Sequence, residues 1–479
     1  MSQATISLCM IVRDAERTLG AALDSAKPFV DEMVIIDTGS VDKTVQVAEA
    51  RGAKVYHFPW VDNFSAARNE SIEKATGDWV FWMDADDVLV QSTGGELLRS
   101  VMENPNRDVG FMLRMEERKP DSHAMSQFLH LKLFPRHPDI RFQYRIHEKV
   151  ASSITRLGFK IKMCNATVQH ANANRSPEAN ARRIKRNRPL LELELKENPC
   201  DGVVLFNVGY HYLICSQELQ KATELLERSL AYLPKDNSLR LDVFQMLIKA
   251  YWRAKDSNRL AATCEAALEN FPDASIFLLD LGRVKEIQGD DKIAEKHYLR
   301  ALTHGRVTMT NVDAVNLEAQ IALHLGRIYK RTNRETEMEF IWLKHLDKYP
   351  HDWKLHRALI EFYIRSQRPD EAEKQLQLFP SNPETMSVRL ALAGGIAVLR
   401  KDWVNAINNF TESRRMGGAG PFQLHGMSIA FMATGRFTEA ETVLKQLLEI
   451  TPHNPHAVRS LKVIQKHLER SGNLERGGL

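Results

Sequence analysis

Residues 78–90 read DWVFWMDADDVLV: an apolar run from Trp79 to Met83 ends abruptly in three acids, Asp84, Asp86 and Asp87. The run suits a strand buried on both faces. The acids answer no need of folding, because like charges two residues apart on a strand point the same way and repel. Something positive must sit beside them.

The sequence before this stretch repeats its design. Ile6–Val12, Glu32–Asp37 (EMVIID) and Lys54–Phe58 (KVYHF) are short apolar runs. Between them, Ala15–Ala26 has helical spacing (Leu19, Ala22, Leu23, Ala26), and Lys43–Arg51 and Ser65–Ala75 read as further helices. Strand, helix and strand at this pitch predict βαβ units and a mostly parallel, Rossmann-like sheet over residues 1–172. In such a sheet ligands bind beyond the carboxyl ends of the strands. Arg13 in 11-IVRDAE-16, Asp37 in 35-IIDTGSVDKT-44 and Asp84–Asp86 all fall at strand ends, so they are expected to line one crevice.

From about residue 180 strand signals vanish. The segments 289-GDDKIAEKHYLRAL-302, 401-KDWVNAINNFTESR-414 and 435-GRFTEAETVLKQLL-448 share a turn residue, an alanine five positions on (Ala294, Ala406, Ala440) and a bulky residue one turn later (Tyr298, Phe410, Leu444). Prolines or glycines punctuate the region mostly at gaps of 30 to 45 residues, from Pro234 to Pro452. The period suits a helix-turn-helix array of about 34 residues per unit. About seven units are expected over 203–470, forming an all-α solenoid, with a helical linker over 173–202. The basic run 172-NANRSPEANARRIKRNR-188 in that linker reads as a solvated face, with contact to a phosphate or an acidic substrate as the alternative.

A chain of 479 residues is too long for one core. Its net charge of +4 makes no case for nucleic acid as a partner. Five cysteines without a CxxC pair suit free thiols in a reducing compartment. The Ile6–Val12 run is too short to cross a membrane and lacks a basic lead and a cleavage site, so a cytoplasmic protein without a transmembrane segment is expected.

A lone Asp-x-Asp can be no more than a turn cap. Its functional reading is a hard cation, Mg²⁺ or Mn²⁺, held by carboxylate oxygens and bridging phosphates. Four segments in order, 6-ISLCMIVRDAERTLGAALDSA-26, 35-IIDTGSVDKT-44, 66-AARNESIEKATGDWVFWMDADD-87 and 142-FQYRIHEKV-150, together resemble the nucleotide-sugar domain of glycosyltransferase family 2, a GT-A fold. Within it the chain is similar to the sublancin-type bacterial peptide S-glycosyltransferases, where helical repeats follow the catalytic domain; the repeats themselves resemble tetratricopeptide repeats.

The resemblance implies roles residue by residue. Asp37 would accept from the uracil of a UDP-sugar, and Ile11, Val12 and Arg13 would run beneath base and ribose. Arg68 and Asn69 would hold the nucleotide, Asp84 the ribose or the metal's water shell. Asp86 and His170 would ligate Mn²⁺ or Mg²⁺, while Glu148, with His147 beside it, would deprotonate the acceptor. Many relatives carry Glu where this chain has Asp87, and the residues after His170 depart from the family pattern. Each role has a structural rival: Asp37 as a turn cap, Arg68 paired with Glu70 or Asp62, His147 as a satisfied histidine. His130 in 129-LHLKLF-134 reads as a strand residue, and Trp60 and Phe64 as core.

The activity implied is an inverting hexosyltransferase using a UDP-sugar, with a peptide or protein acceptor held partly by the repeats. A thiol acceptor would need the base less, being intrinsically nucleophilic. A lipid-linked or polysaccharide acceptor, or a non-catalytic nucleotide-binding scaffold, are the alternatives. A second copy of the chain is a further candidate partner.

Overall fold

The computed structural model describes residues 4–118, 125–170, 177–216, 218–303, 314–418 and 420–476, and the chain divides into two compact units. The first runs to Pro272 and holds an eight-stranded sheet and the first helices of the tail. Its strands are β1 (Ile6–Val12), β2 (Glu32–Asp37), β3 (Lys54–His57), β4 (Trp79–Trp82), β5 (Asp87–Leu89), β6 (Val109–Arg118), β7 (Met125–Pro135) and β8 (Lys160–His170). Their order is β3-β2-β1-β4-β7-β6-β8-β5.

The four strands read from sequence form the parallel half, with β1 between β2 and β4. Six of the seven β1 residues and all four of β4 are buried, which is why they read as unbroken apolar runs. The β6–β7 hairpin joins antiparallel to β4, and β8 lies parallel to β6 and antiparallel to β5. That second half lacks the βαβ rhythm, so no periodic pattern in the sequence marks it.

The helices of this unit are α1 (Leu19–Ala26), α2 (Thr44–Glu49), α3 (Phe64–Lys74), α4 (Gln91–Met102), α5 (Ala151–Arg156), α6 (Pro177–Glu197) and α7 (Gly202–His211). Helical spacing from Ala15 begins as helix only at Leu19. Residues 14–16 are held out in a loop by the β2–α2 connection instead. The N–H of Asp14 donates to Ser40 (3.0 Å) and that of Ala15 to Thr44 (2.7 Å), while Val41 N–H returns to Asp14 Oδ1 (2.8 Å). In the expected linker 173–202, residues 173–176 lie outside the described residues, and most of the rest is α6.

The second unit comprises 273–307 and 313–479, and its described elements are helices. The repeat pattern holds in atomic detail. Ala294, Ala406 and Ala440, with Tyr298, Phe410 and Leu444, are all fully buried. In three helix pairs a large ring lies on a glycine sixteen residues earlier. A Cβ added to Gly282 would stand 2.4 Å from the Tyr298 ring, one on Gly326 2.3 Å from Trp342, and one on Gly394 2.8 Å from Phe410. The missing side chain lets the two helices of a pair close on the ring.

Phe410→Ala is therefore expected to destabilise the second unit by about 3–5 kcal/mol. Gly394→Ala should also lower stability, because the ring cannot retreat from a filled groove. Urea unfolding followed by far-ultraviolet circular dichroism checks both; an unchanged midpoint would contradict the packing.

Candidate active site

Beyond the carboxyl ends of β1 and β4 opens a cleft of about 1080 Å³. Its floor answers what lies beside the acids of 84–87. The chain turns tightly there: Asp87 N–H donates to the Asp84 carbonyl and Asp84 N–H to Asp87 Oδ2, both at 3.0 Å. Two buried cations compensate the cluster. Lys132 of β7 lies 2.8 Å from Asp87 and 3.7 Å from Asp84, with its Nζ 3.6 Å above the Trp82 ring. Arg68 of α3 donates to Asp84 Oδ1 (2.7 Å) and, from Nε, to Glu148 Oε1 (3.0 Å). Its guanidinium stacks on the same ring at 4.2 Å.

The charges tune one another. Burial alone would raise Asp84 and Asp87, but Arg68 and Lys132 hold Asp84, and Lys132 with the His170 hydrogen bond holds Asp87, below the usual carboxylate range. Burial would likewise lower Arg68, yet the facing carboxylates raise it, so it is a permanent cation. His130, packed edge-on against Trp82, is lowered to about 4, chiefly by burial and then by Lys132.

His170 ends β8 directly opposite Asp87. Its Nδ1 lies 2.8 Å from Asp87 Oδ1, and its Nε2 faces Asp86 Oδ2 at 3.7 Å. A carboxylate on Nδ1 fixes the proton there and leaves the Nε2 lone pair available. Ligand atoms of Asp86, Asp87 and His170 fall within 4.8 Å of one another. Asp87 is buried and engaged by Lys132 and His170, so the pair that lines the cleft is Asp86 and His170. Their separation suits a cation about 2.1 Å from each. The donor set fits Mn²⁺ or Mg²⁺.

Glu148 and His147 stand on the cleft wall, in a segment with left-handed backbone at Tyr144 (φ 74) and His147 (φ 57). Such conformations persist only where surroundings fix them, and α6 and α7 do so here. Arg145 N–H donates to buried Glu194, its Nε pairs with Glu197 at 2.9 Å, and Tyr144 Oη reaches Asp201, the N-cap of α7, at 3.3 Å. Of the Glu148 carboxylate, Oε1 is bound by Arg68. Desolvation lowers the His147 pKa, with Glu148 opposing and Lys149 and Arg183 adding to the fall.

Of the residues singled out from sequence, Ile11, Val12, Arg13, Arg68, Asp84, Asp86, His147, Glu148 and His170 meet in this cleft. Two do not line it. Asp37 is 3% exposed, and its carboxylate accepts from the N–H groups of Gly39 and Ser40 and from His57. Burial would raise Asp37, but those donors lower it. Asn69 clasps the backbone of Phe142 with both ends of its amide, at 3.0 and 2.8 Å. It anchors the Glu148 segment to α3. Trp60 and Phe64, read as core, are half-buried in the cleft wall. The basic run, read as a solvated face, lines the cleft with Arg182, Arg183 and Arg186. Lys132 escapes motif reading, although its signal is present as a lone cation inside the apolar run of 129-LHLKLF-134.

A family model for Glycosyl transferase family 2 matches residues 7–160. A TPR repeat-containing protein of Synechococcus elongatus is 33% identical over 279 residues, 57% of this chain and 68% of that one. The SPbeta prophage-derived glycosyltransferase SunS of Bacillus subtilis is 25% identical over 240 residues, 49% of this chain and 56% of SunS. An uncharacterized glycosyltransferase of Rickettsia typhi is 33% identical over 92 residues, 19% of this chain and 31% of its own. The chain thus spans just over half of SunS and under a third of the Rickettsia protein.

Lys132→Met should destabilise the protein by about 3–5 kcal/mol, since it strands Asp87 without its buried partner. Adding Asp87→Asn should recover part of that loss, measured by thermal unfolding; equal loss in the double variant would refute the pairing. A second expectation concerns pH. His130 binds its proton less readily when folded, so its contribution is complete above about pH 6.5 and is lost as pH falls toward 4. His130→Gln should flatten the stability profile in that window.

Proposed function

The chain belongs to glycosyltransferase family 2, with tetratricopeptide repeats after the transferase domain, and on that footing we propose that it moves a sugar from a UDP-sugar to a peptide or protein acceptor with inversion at the anomeric carbon. The observation that carries the proposal is the position of Arg68. One buried guanidinium fixes Asp84 and Glu148 on the cleft, so the carboxylate turned toward the donor and the one turned toward the acceptor are set relative to each other. The resemblance of the four motifs, in order, supports the assignment of the donor.

Asp86 and His170 would hold the cation. When bound, it supplies Lewis-acid neutralisation of the charge that collects on the departing diphosphate. The chain's own residues do the rest. The strand-end segment 11–13 borders the nucleotide space, with Trp60 and Phe64 on the cleft wall as apolar surface for ring stacking. Glu148 takes the acceptor's proton as general base. The nucleophile then bonds to the anomeric carbon as the bond to the diphosphate oxygen breaks on the opposite face. A helical-repeat tail suits recognition of an extended peptide. Among the described residues no helix is long and apolar enough to cross a membrane. The cysteines are free, which suits a reducing compartment, and we place the protein in the cytoplasm.

The test is UDP release from a panel of UDP-sugars with Mn²⁺ or with chelator. One sugar should be hydrolysed slowly and only with metal, and Asp86→Asn and His170→Ala should abolish that release. Glu148→Gln should cut transfer to an acceptor by about 10²–10⁴-fold while UDP binding survives. No metal-dependent UDP binding or release with any sugar would overturn the proposal.

A further inference from the structure

One wall of the cleft carries charge of a single sign. Elsewhere the lining mixes the signs, with Glu16, Asp86 and Glu148 among Arg13, Arg17 and Arg68. The face contributed by α6 carries three arginines, Arg182, Arg183 and Arg186, and no acid. Like charges at positions i and i+4 of a helix, such as Arg182 and Arg186, cost stability, so folding does not explain the arrangement. Among the described residues Arg182 and Arg183 have no ion-pair partner; Arg183 donates only to Asn180, at 3.1 Å. Arg186 lies over the Phe64 ring at 5.2 Å, which places the row on the cleft wall.

The row stands on the acceptor side. Phe64 begins the helix whose Ser65 holds the Tyr144 carbonyl, next to the Glu148 segment. The charge of Arg183 is felt at His147. The Asp86–His170 pair, where a diphosphate would be drawn, would have the cation held there to serve it. At about 1080 Å³ the cleft is at the upper end of what a single small ligand fills, leaving room for part of an acceptor.

We propose that Arg182, Arg183 and Arg186 form an acceptor subsite that takes the carboxylates of acidic side chains flanking the residue to be glycosylated, in an acidic peptide segment. This rests on the peptide-acceptor reading above. Guanidinium groups suit the task because each offers a planar fork to a carboxylate.

The experiment compares Glu-flanked, Gln-flanked and Lys-flanked acceptor peptides, carrying Ser, Thr or Cys at the centre, with the full chain, Mn²⁺ and the UDP-sugar that it hydrolyses. The readout is the ratio of kcat/KM for Glu-flanked over Lys-flanked peptides, which cancels any general damage to a variant. The wild type should favour the Glu-flanked series about tenfold or more. R182Q/R183Q should bring the ratio near one, and R182E/R183E should invert it. Raising salt should erode the wild-type preference, a readout that needs no variant. A wild-type ratio near one, or a preference unchanged in both variants, overturns the subsite and leaves the peptide acceptor standing. So does an equal loss with all peptides together with a raised KM for the donor, which would assign the arginines to the diphosphate. UDP release without transfer to any peptide overturns the peptide acceptor and the subsite with it.

Discussion

Two cations buried under one tryptophan make the cleft possible. Taking a charge out of water is costly unless a partner meets it at close range, and Asp87 has no exposure at all. Lys132 and Arg68 meet the need from different elements, β7 and α3, and both lie against the Trp82 ring of β4. Remove that arrangement and the acids at the end of β4 would repel one another. Because Arg68 also reaches Glu148, the site is one electrostatic object rather than a set of separate ligands. Asp86 thereby stands at the rim beside His170, where a divalent ion suits it.

The parallel half of the sheet was legible because burial on both faces forces unbroken apolar runs in β1, β2 and β4, while the half-exposed β3 follows them at the same βαβ pitch; each of the four strands begins where its run begins. The β6–β7 hairpin and β8 were not, because their strands are long, partly exposed and mixed in polarity, like the exposed Lys160 and Lys162 of β8. Asp84, Asp86, Glu148 and His170 could be named from motifs. What the motifs could not say is which acid is already occupied. The pattern treats Asp86 and Asp87 as neighbours in one charge cluster, and only the antiparallel pairing of β5 with β8 shows that Asp87 orients His170 while Asp86 faces the open side. The same limit applies to Asp37 and Asn69. Their side chains were assigned to a ligand, but local backbone donors and acceptors claim them.

Helices α6 and α7 belong to the site as much as the sheet does. Glu194, Glu197 and Asp201 brace the strained Tyr144–His147 segment, and α6 closes one wall of the cleft. A boundary drawn from the change in sequence period, near residue 172, separates the Glu148 segment from the groups that fix its backbone. Periodicity reports what an element is, not what it supports.

The glycine-and-ring pairs of the repeats have a bearing on how the chain acquires its structure. Each ring finds its glycine sixteen residues away, within one helix pair, so closing the pair costs little loop entropy. The sheet is assembled otherwise: Thr5 must find Asp78, and Asp87 must find His170, across 73 and 83 residues. Local pairings form quickly, and distant ones form late. The repeats are thus expected to order before the sheet, and the carboxylate cluster, which draws on both halves of that sheet, to form after both.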